Sequence, residues 1–166
     1  GFTGSGEVAL ASVASLELTP DGRPRVLAAS TEIGQGTTTI FAQIVAGALG
    51  VSYDLVDVAT PDTAVVPNSG PTVASRTCMI VGGMLEAAAR EMAARLRSVA
   101  PRGWSDDRGF LRVARRHLAT HGALRIDRRY ERPPDLAWDD ATYTGAAYAA
   151  YAWAATVAEV EVDLDT

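Results

Sequence analysis

Two stretches near the start of the chain have the half-buried pattern of β-strands. They are EVALASVASLEL at residues 7–18 and PRVLAAS at residues 24–30. The TPDGR between them contains proline, aspartate and glycine, which are residue types that favour a turn. The pattern predicts a β-hairpin.

From Thr37 the apolar residues change to the three-to-four-residue period of an amphipathic helix. Gly50 ends this pattern, as glycine commonly does after the last turn of a helix. Residues 55–59 (LVDVA) then predict a short strand. The order is therefore strand, glycine-containing loop, helix and strand.

A long helix is predicted for residues 72–100, after a loop at residues 60–71 that contains three prolines. Its first half is apolar, and its second half carries charges on one face. Gly82 and Gly83 lie inside this helix, where the absence of side chains predicts close packing against a neighbour.

After residue 100 the predicted elements are a linker at residues 101–109, a basic amphipathic helix at residues 110–122 and an exposed strand at residues 124–134. Residues 159–164 (EVEVDL) alternate acidic and apolar side chains, so the end of the chain predicts a strand. We therefore expect one α+β domain over residues 1–166. Its mixed, mostly antiparallel sheet packs against two main helices as a two-layer sandwich.

Composition limits the possible functions. The 166 residues are 48% apolar with a net charge of −5, which fits a globular domain and does not favour nucleic-acid binding. No run approaches the ~18 apolar residues of a membrane span. Every basic residue is arginine, which excludes a phosphate-loop lysine and a Schiff-base lysine. A single cysteine excludes internal disulfides and predicts a reduced, cytoplasmic location. The chain begins with glycine rather than methionine and ends in a strand-like stretch, so we expect a segment of a longer subunit.

Three side chains could act chemically but have simpler explanations. His117 and His121 are four apart on a predicted helix, a spacing that can hold a metal, yet the helix is short and surrounded by arginines. We expect a solvated helix there. Cys78 has no histidine partner that the sequence identifies, so we expect a small packed core residue and not a nucleophile.

Two loops precede helices and carry the strongest chemical signal. In STEIGQGTTT, at residues 30–39, Gly34 and Gly36 flank Gln35, which suggests a loop that approaches a partner closely. In GPTVASRT, at residues 70–77, the start of the long helix could bind an anion through backbone N–H groups and hydroxyls. Ordinary capping by Thr72 or Ser75 is the alternative.

These loops carry a family resemblance. STEIGQGTTTIFAQIVAGALGV, PDTAVVPNSGPTVASRTCMIVGG and the earlier GFTGSGE closely resemble the large, molybdenum-cofactor-binding subunit of the xanthine dehydrogenase and aldehyde oxidase family. The likeness covers the whole chain. It implies molybdopterin as the cofactor, either alone or as a dinucleotide.

The resemblance also implies a role for each site residue. Gln35 would donate a hydrogen bond to an oxygen ligand of the metal, and Gly34 and Gly36 would keep the loop near the pterin. Ala74 would stand beside the metal, where a small residue lets substrate pass. Ser75, Arg76 and Thr77 would hold the pterin and its phosphate. Phe2 and Thr3 would line the substrate pocket together with Ala74. No protein side chain is implied as a metal ligand.

The chemistry implied by the resemblance is hydroxylation, with water, of purines, related N-heterocycles or aldehydes. The family's general-base glutamate has no counterpart in this sequence. We therefore expect the segment alone to be inactive. Its partners would be the remaining segments of the subunit, iron–sulfur and flavin domains or subunits that hold 2Fe-2S clusters and FAD, and a small-molecule substrate. A non-catalytic module that binds the cofactor, or a purely structural one, remains the alternative.

Overall fold

The computed structural model describes residues 11–134, 136–139, 141–146 and 155–164. One layer is a four-stranded sheet in the order β3, β2, β1, β4. Its strands are β1 (Val13–Leu18), β2 (Pro24–Leu27), β3 (Asp57–Val58) and β4 (Arg125–Arg129). Strand β1 is antiparallel to β2 and β4, whereas β2 and β3 are parallel. The prediction of a mixed, mostly antiparallel sheet is confirmed.

Helices form the second layer. They are α1 (Thr37–Leu49), α2 (Gly83–Val99) and α3 (Asp107–His121), with a π-helical segment at Thr77–Gly82 directly before α2. Helices α1 and α2 pack together, α2 also lies against β1 and β4, and α3 contacts α2. The α+β sandwich is therefore confirmed, and α3 adds a third helix to it. A small separate sheet joins β5 (Trp138–Asp139) to β6 (Thr144–Gly145).

The core lies between the four-stranded sheet and the helices. Leu16 on β1 is flanked by Val26 on β2 and Ile126 on β4, and all three side chains are buried. On the opposite face Glu17 forms an ion pair with Arg25 across the same strands. Helix α2 covers the apolar face with a buried stripe that includes Leu85, Ala88, Met92 and Leu96. In this core the apolar residues that alternate along the strands pack against the apolar residues that recur every three to four positions along α2.

Glycine allows α1 and the helical segment before α2 to approach closely. A Cβ at Gly82 would lie 2.8 Å from Cδ1 of Ile44 on α1, whereas a Cβ at Gly83 would meet no atom of the described residues within 4 Å. The prediction of close packing is confirmed for Gly82 and is wrong for Gly83. Within the described ranges no helix combines the length and apolar character needed to cross a membrane.

One helix boundary and one predicted strand differ from the sequence-based expectations. The long helical run begins at Thr77 and not at residue 72, because Ala74 has a positive φ of 48° that a continuous helix cannot contain. The strand predicted at the end of the chain is wrong for residues 155–164, which form no strand and are exposed. Alternation describes a side-chain pattern, but a strand also needs a neighbour for its backbone hydrogen bonds.

The end of α1 provides a stability test with a matched control. Gly50 has φ 68° after the last turn, whereas Gly47 lies within the exposed part of the helix with space for a Cβ. Gly50→Ala should lower the free energy of unfolding by about 1 kcal/mol, because an L-residue is strained at positive φ. Gly47→Ala should raise it by roughly 0.5 to 1 kcal/mol. Urea denaturation of both variants measures the effects, and equal shifts for the two would contradict the assignment of Gly50 as the cap.

Candidate functional site

The first loop depends on two glycines. Gly34 has φ 104° and Gly36 has φ 84°, values that favour glycine strongly over other residues. A Cβ at either position would meet no atom of the described residues within 4 Å, so the positive φ angles and not crowding by those residues require glycine. A flat ligand could approach the backbone there.

Glu32 organises this loop. Its Oε1 accepts hydrogen bonds from the N–H groups of Gly34 (2.8 Å) and Gly36 (3.0 Å), and its Oε2 accepts one from Thr38 (3.0 Å). These backbone hydrogen bonds lower the pKa of the Glu32 carboxyl below 4.5. The carboxylate therefore neutralises the positive end of α1 and is a weak base. Sequence reasoning assigned no role to Glu32, although an acidic residue just before a helix is a recognised signal.

Gln35 folds back onto its own loop. Its Nε2 donates to the Thr31 carbonyl (2.7 Å) and to Oγ1 of Thr37 (2.6 Å), and its Oε1 accepts from the Ile33 N–H (2.7 Å). Both amide hydrogens are therefore engaged within the loop. A hydrogen bond from Gln35 to a bound group would have to replace one of these contacts.

The second loop begins a helix without a side-chain cap among the described residues. Ala74 is held at φ 48°, an uncommon conformation for a residue with a Cβ, and Ser75 is exposed. The Ser75 carbonyl accepts from the Met79 N–H, which starts the helical hydrogen bonding. The Oγ1 atom of Thr77 is buried and has no hydrogen-bond partner in the described part of the chain.

Hydrogen bonds join the two loops in space. The Thr31 N–H donates to Oγ1 of Thr72 at 2.9 Å, and the Ala29 N–H donates to Oγ of Ser69 at 3.0 Å. Thr72 therefore bridges the two loops. It does not cap the helix, so the alternative explanation of Thr72 as an ordinary cap is not supported. The structure brings together residues 30–37 and 69–77, as one shared ligand would need.

Arg76 points into the protein. Its side chain is fully buried, and Nη1 donates to the Pro71 carbonyl at 2.6 Å. Only the backbone of Arg76 could therefore be presented to a ligand in this arrangement. The other predicted site residues, Phe2 and Thr3, lie outside the described residues.

Two side chains differ from their expected environments. Cys78 is exposed, so the prediction of a packed core residue is wrong. His117 is buried, with its Nδ1 unpaired among the described groups, and its ring stacks on that of His121 at 4.8 Å. Burial, and then the charges of His121 and Arg95, lower the pKa of His117. No cluster of three metal-ligating side chains occurs in the described part of the chain.

A separate pocket of about 270 Å³, lined by both apolar and charged side chains, lies between the helical run and the end of β4. Its lining includes Met79, Met84 and Tyr130, but none of the predicted cofactor residues. The two candidate loops instead form an open, exposed surface: Ile33 and Val73 are 79% and 38% exposed. Such a surface becomes a pocket only when other segments cover it.

Known proteins match this chain over most of its length. A family model described as the molybdopterin cofactor-binding domain matches residues 1–166. Xanthine dehydrogenase 2 of Arabidopsis thaliana is 31% identical over 147 residues, which are 86% of this chain and 10% of the relative. The gamma subunit of the 6-hydroxypseudooxynicotine dehydrogenase complex of Paenarthrobacter nicotinovorans is 27% identical over 91% of this chain and 20% of the relative.

The fold also matches a solved structure. The aldehyde oxidoreductase from Desulfovibrio desulfuricans superimposes with a TM-score of 0.61 and 25% identity, over 83% of this chain and 14% of that one. The chain thus spans only a tenth to a fifth of the length of these proteins.

The hydrogen bonds of Glu32 predict a pH effect. Since its pKa is lowered in the folded chain, the stabilisation is present above the ordinary value of 4.5 and is lost as pH falls through the lowered value. The amide resonances of Gly34, Gly36 and Thr38 should therefore titrate together below pH 4.5. Glu32→Gln should speed hydrogen exchange at these amides, whereas Glu86→Gln, at a half-exposed position on α2 where the carboxylate pairs with Arg90, should leave them unchanged. A titration midpoint at or above 4.5 would contradict the capping role.

Proposed function

Because this chain belongs to the molybdopterin cofactor-binding domain family, we propose that it forms a cofactor-binding part of a molybdenum hydroxylase. Such an oxidoreductase would use water to hydroxylate purines, related N-heterocycles or aldehydes. When bound, the cofactor supplies the redox-active metal that accepts two electrons from the substrate. The residues of this chain bind and orient that cofactor.

The buried hydroxyl of Thr77, which has no hydrogen-bond partner in the described part of the chain, is the observation that carries this proposal. A buried hydroxyl without a partner costs free energy, so it is expected to find one in the working protein. It lies at a helix start that no described side chain caps, where backbone N–H groups favour an anion such as a phosphate. The open space beside Gly34 and Gly36 also fits the flat pterin.

Each site residue then has a defined part. Gly34 and Gly36 would let the first loop approach the pterin, and the small side chain of Ala74 would leave space for the substrate. Ser75 and Thr77 offer hydroxyls and backbone N–H groups, and Arg76 offers its backbone N–H. Phe2 and Thr3, from the preceding segment, would complete the substrate side.

We propose that Gln35 donates to an oxygen ligand of the metal when the cofactor is present. This requires Nε2 to exchange one of its two contacts. The contact with Thr37 is the easier to give up, because a hydroxyl that loses its donor can still donate its own hydrogen, whereas the Thr31 carbonyl can only accept. The bond to the Thr31 carbonyl would still hold the side chain in place. The amide would thus be oriented before the cofactor arrives.

The rest of the enzyme would lie outside this chain. Glu32 is an unsuitable general base because three backbone N–H groups stabilise its carboxylate form. The exposed apolar side chains of Ile33 and Val73 are suited to contact with the remaining segments of the subunit. The 2Fe-2S and FAD groups would be held by further domains or subunits that remove the electrons.

We place the protein in the cytoplasm, because its single cysteine is unpaired and reduced surroundings suit such a residue. A non-catalytic module that stores or delivers the cofactor would use the same two loops. The two functions differ in whether a full subunit surrounds this segment with a base and redox partners.

Replacing one hydroxyl distinguishes a cofactor site from a structural helix start. Thr77→Val should leave the apo chain equally stable or more stable by up to about 1 kcal/mol, since it removes a buried hydroxyl that no described residue pairs. Its affinity for molybdopterin should fall about fivefold, because one net hydrogen bond is worth ~1 kcal/mol. Anaerobic equilibrium dialysis measures binding, and Thr39→Val on the exposed face of α1 is the control. Unchanged affinity in Thr77→Val would contradict the proposed contact.

The chain alone should not sustain catalysis. A general base usually contributes about 10² to 10⁴-fold, and we propose that this base lies outside the segment, so an artificial electron acceptor alone would not restore turnover. The assay supplies molybdopterin with its metal, an artificial electron acceptor, and hypoxanthine or an aromatic aldehyde. Multiple turnovers from residues 1–166 would contradict the proposal that the base lies elsewhere.

A further inference from the structure

We propose that Arg76 is a positioning residue: its buried guanidinium holds the loop of residues 69–74 against the start of β1, so that both cofactor loops keep their relative placement. The guanidinium itself does not contact the cofactor phosphate. This inference rests on the proposed function only for its consequence in binding, because the positioning can be measured without the cofactor.

The first support is the set of acceptors around the guanidinium. Nη1 donates to the Pro71 carbonyl at 2.6 Å, and Nη2 donates to the Ser69 carbonyl at 2.8 Å and to Oγ of Ser12 at 2.7 Å. The side chain is 0% exposed. A buried charge is tolerated when its donors are paired, and here two of the acceptors belong to the loop that it holds.

Gly70 supplies the second support. It has φ 76°, and a Cβ at this position would lie 2.8 Å from Nη2 of Arg76 and 2.8 Å from Oγ of Ser12. The loop backbone therefore passes directly over the guanidinium with no space for a side chain. The absence of a side chain at Gly70 lets the loop pack directly on the guanidinium of Arg76. Such close packing is expected of a structural contact and not of an arginine whose guanidinium binds a ligand.

The third support is the connection to the first loop. Oγ of Ser69 donates to the Val13 carbonyl at 2.8 Å and accepts from the Ala29 N–H at 3.0 Å. The Val13 N–H in turn donates to the Asn68 carbonyl at 2.9 Å. Arg76 holds the carbonyl of Ser69 in place. The hydroxyl of the same serine joins β1 to the segment that leads into residues 30–36, so Arg76 also helps to place that segment.

The number and direction of donors explain why arginine is needed. A planar guanidinium has five N–H groups in a fixed fork and can reach acceptors on different segments. An ammonium group is a compact point charge, so the substitution Arg76→Lys would keep the charge without that geometry. Arg76→Lys therefore tests whether the positive charge alone is sufficient or whether the geometry of the guanidinium is also needed.

The main experiment compares Arg76→Lys and Arg76→Ala with Arg90→Lys, an exposed control on α2. Hydrogen exchange at the amides of Val13, Ala29 and Thr31 reports the loop contacts in the apo chain. We expect about tenfold faster exchange at these amides in both Arg76 variants and no change in the control. Millimolar methylguanidinium should restore protection in Arg76→Ala, whereas methylammonium should not.

Cofactor binding is the second readout. The dissociation constant for molybdopterin should rise in Arg76→Ala and recover with methylguanidinium in parallel with amide protection. If the three amides exchange in Arg76→Lys at the same rate as in wild type, the proposal is overturned. Loss of affinity with undisturbed loop amides would identify Arg76 as a direct phosphate ligand instead.

Ser12→Ala covers the case in which the Arg76 variants fail to fold. It removes one acceptor of the guanidinium and should speed exchange at the Val13 and Ala29 amides by a smaller factor than Arg76→Ala. Unchanged exchange in Ser12→Ala would also overturn the proposal. If wild type binds no molybdopterin, the proposed function fails, while the exchange results still decide the role of Arg76.

Discussion

The need to satisfy buried polar groups between β1 and the two loops governs this structure. Ser69 is fully buried, and its hydroxyl connects the Val13 carbonyl with the N–H of Ala29, forty residues away in the sequence. Arg76 meets the carbonyl of the same serine from inside. Because an unpaired buried group is costly, these contacts make the placement of one loop depend on the other. The candidate site is a consequence of this shared network.

The two helix starts of the site are satisfied in different ways. At α1 the carboxylate of Glu32 accepts three backbone hydrogen bonds, so the chain supplies its own anion. At the start of the second helical run the described residues provide no side-chain cap and no partner for the Thr77 hydroxyl. We therefore propose that an external anion binds at the second start, while the first provides a glycine loop with open space beside its backbone. In this proposal the first loop provides a surface that fits a flat group, and the second loop binds the negative charge.

Local strain occurs beside the same site. Ala74 has φ 48°, and the residues after it form a π-helical segment, which is uncommon and frequently found near functional sites. Gly82 at the end of that segment contacts Ile44 closely, so α1 and the second helical run are packed tightly just beyond the loops. Tight packing behind the loops and an open surface in front of them are what a cofactor platform requires.

Much of the fold and part of the site could be predicted from the sequence. The hairpin, the extent of α1 and its end at Gly50 follow from local pattern, because period and glycine chemistry act over a few residues. The same local signals identified both loops. The pattern at residues 159–164 failed as a strand prediction, because pairing depends on a neighbour that pattern does not contain.

Only the tertiary structure decided what individual side chains do. Arg76 and Ser75 are adjacent in the sequence, yet one is buried under Gly70 and the other is exposed. Glu32 has a role because the backbone turns its neighbouring N–H groups toward one carboxylate. The sequence by itself determined the hairpin, helix α1 and the residue types available to bind an anion. Their direction was decided by long-range hydrogen bonds and burial, which depend on residues far apart in the chain.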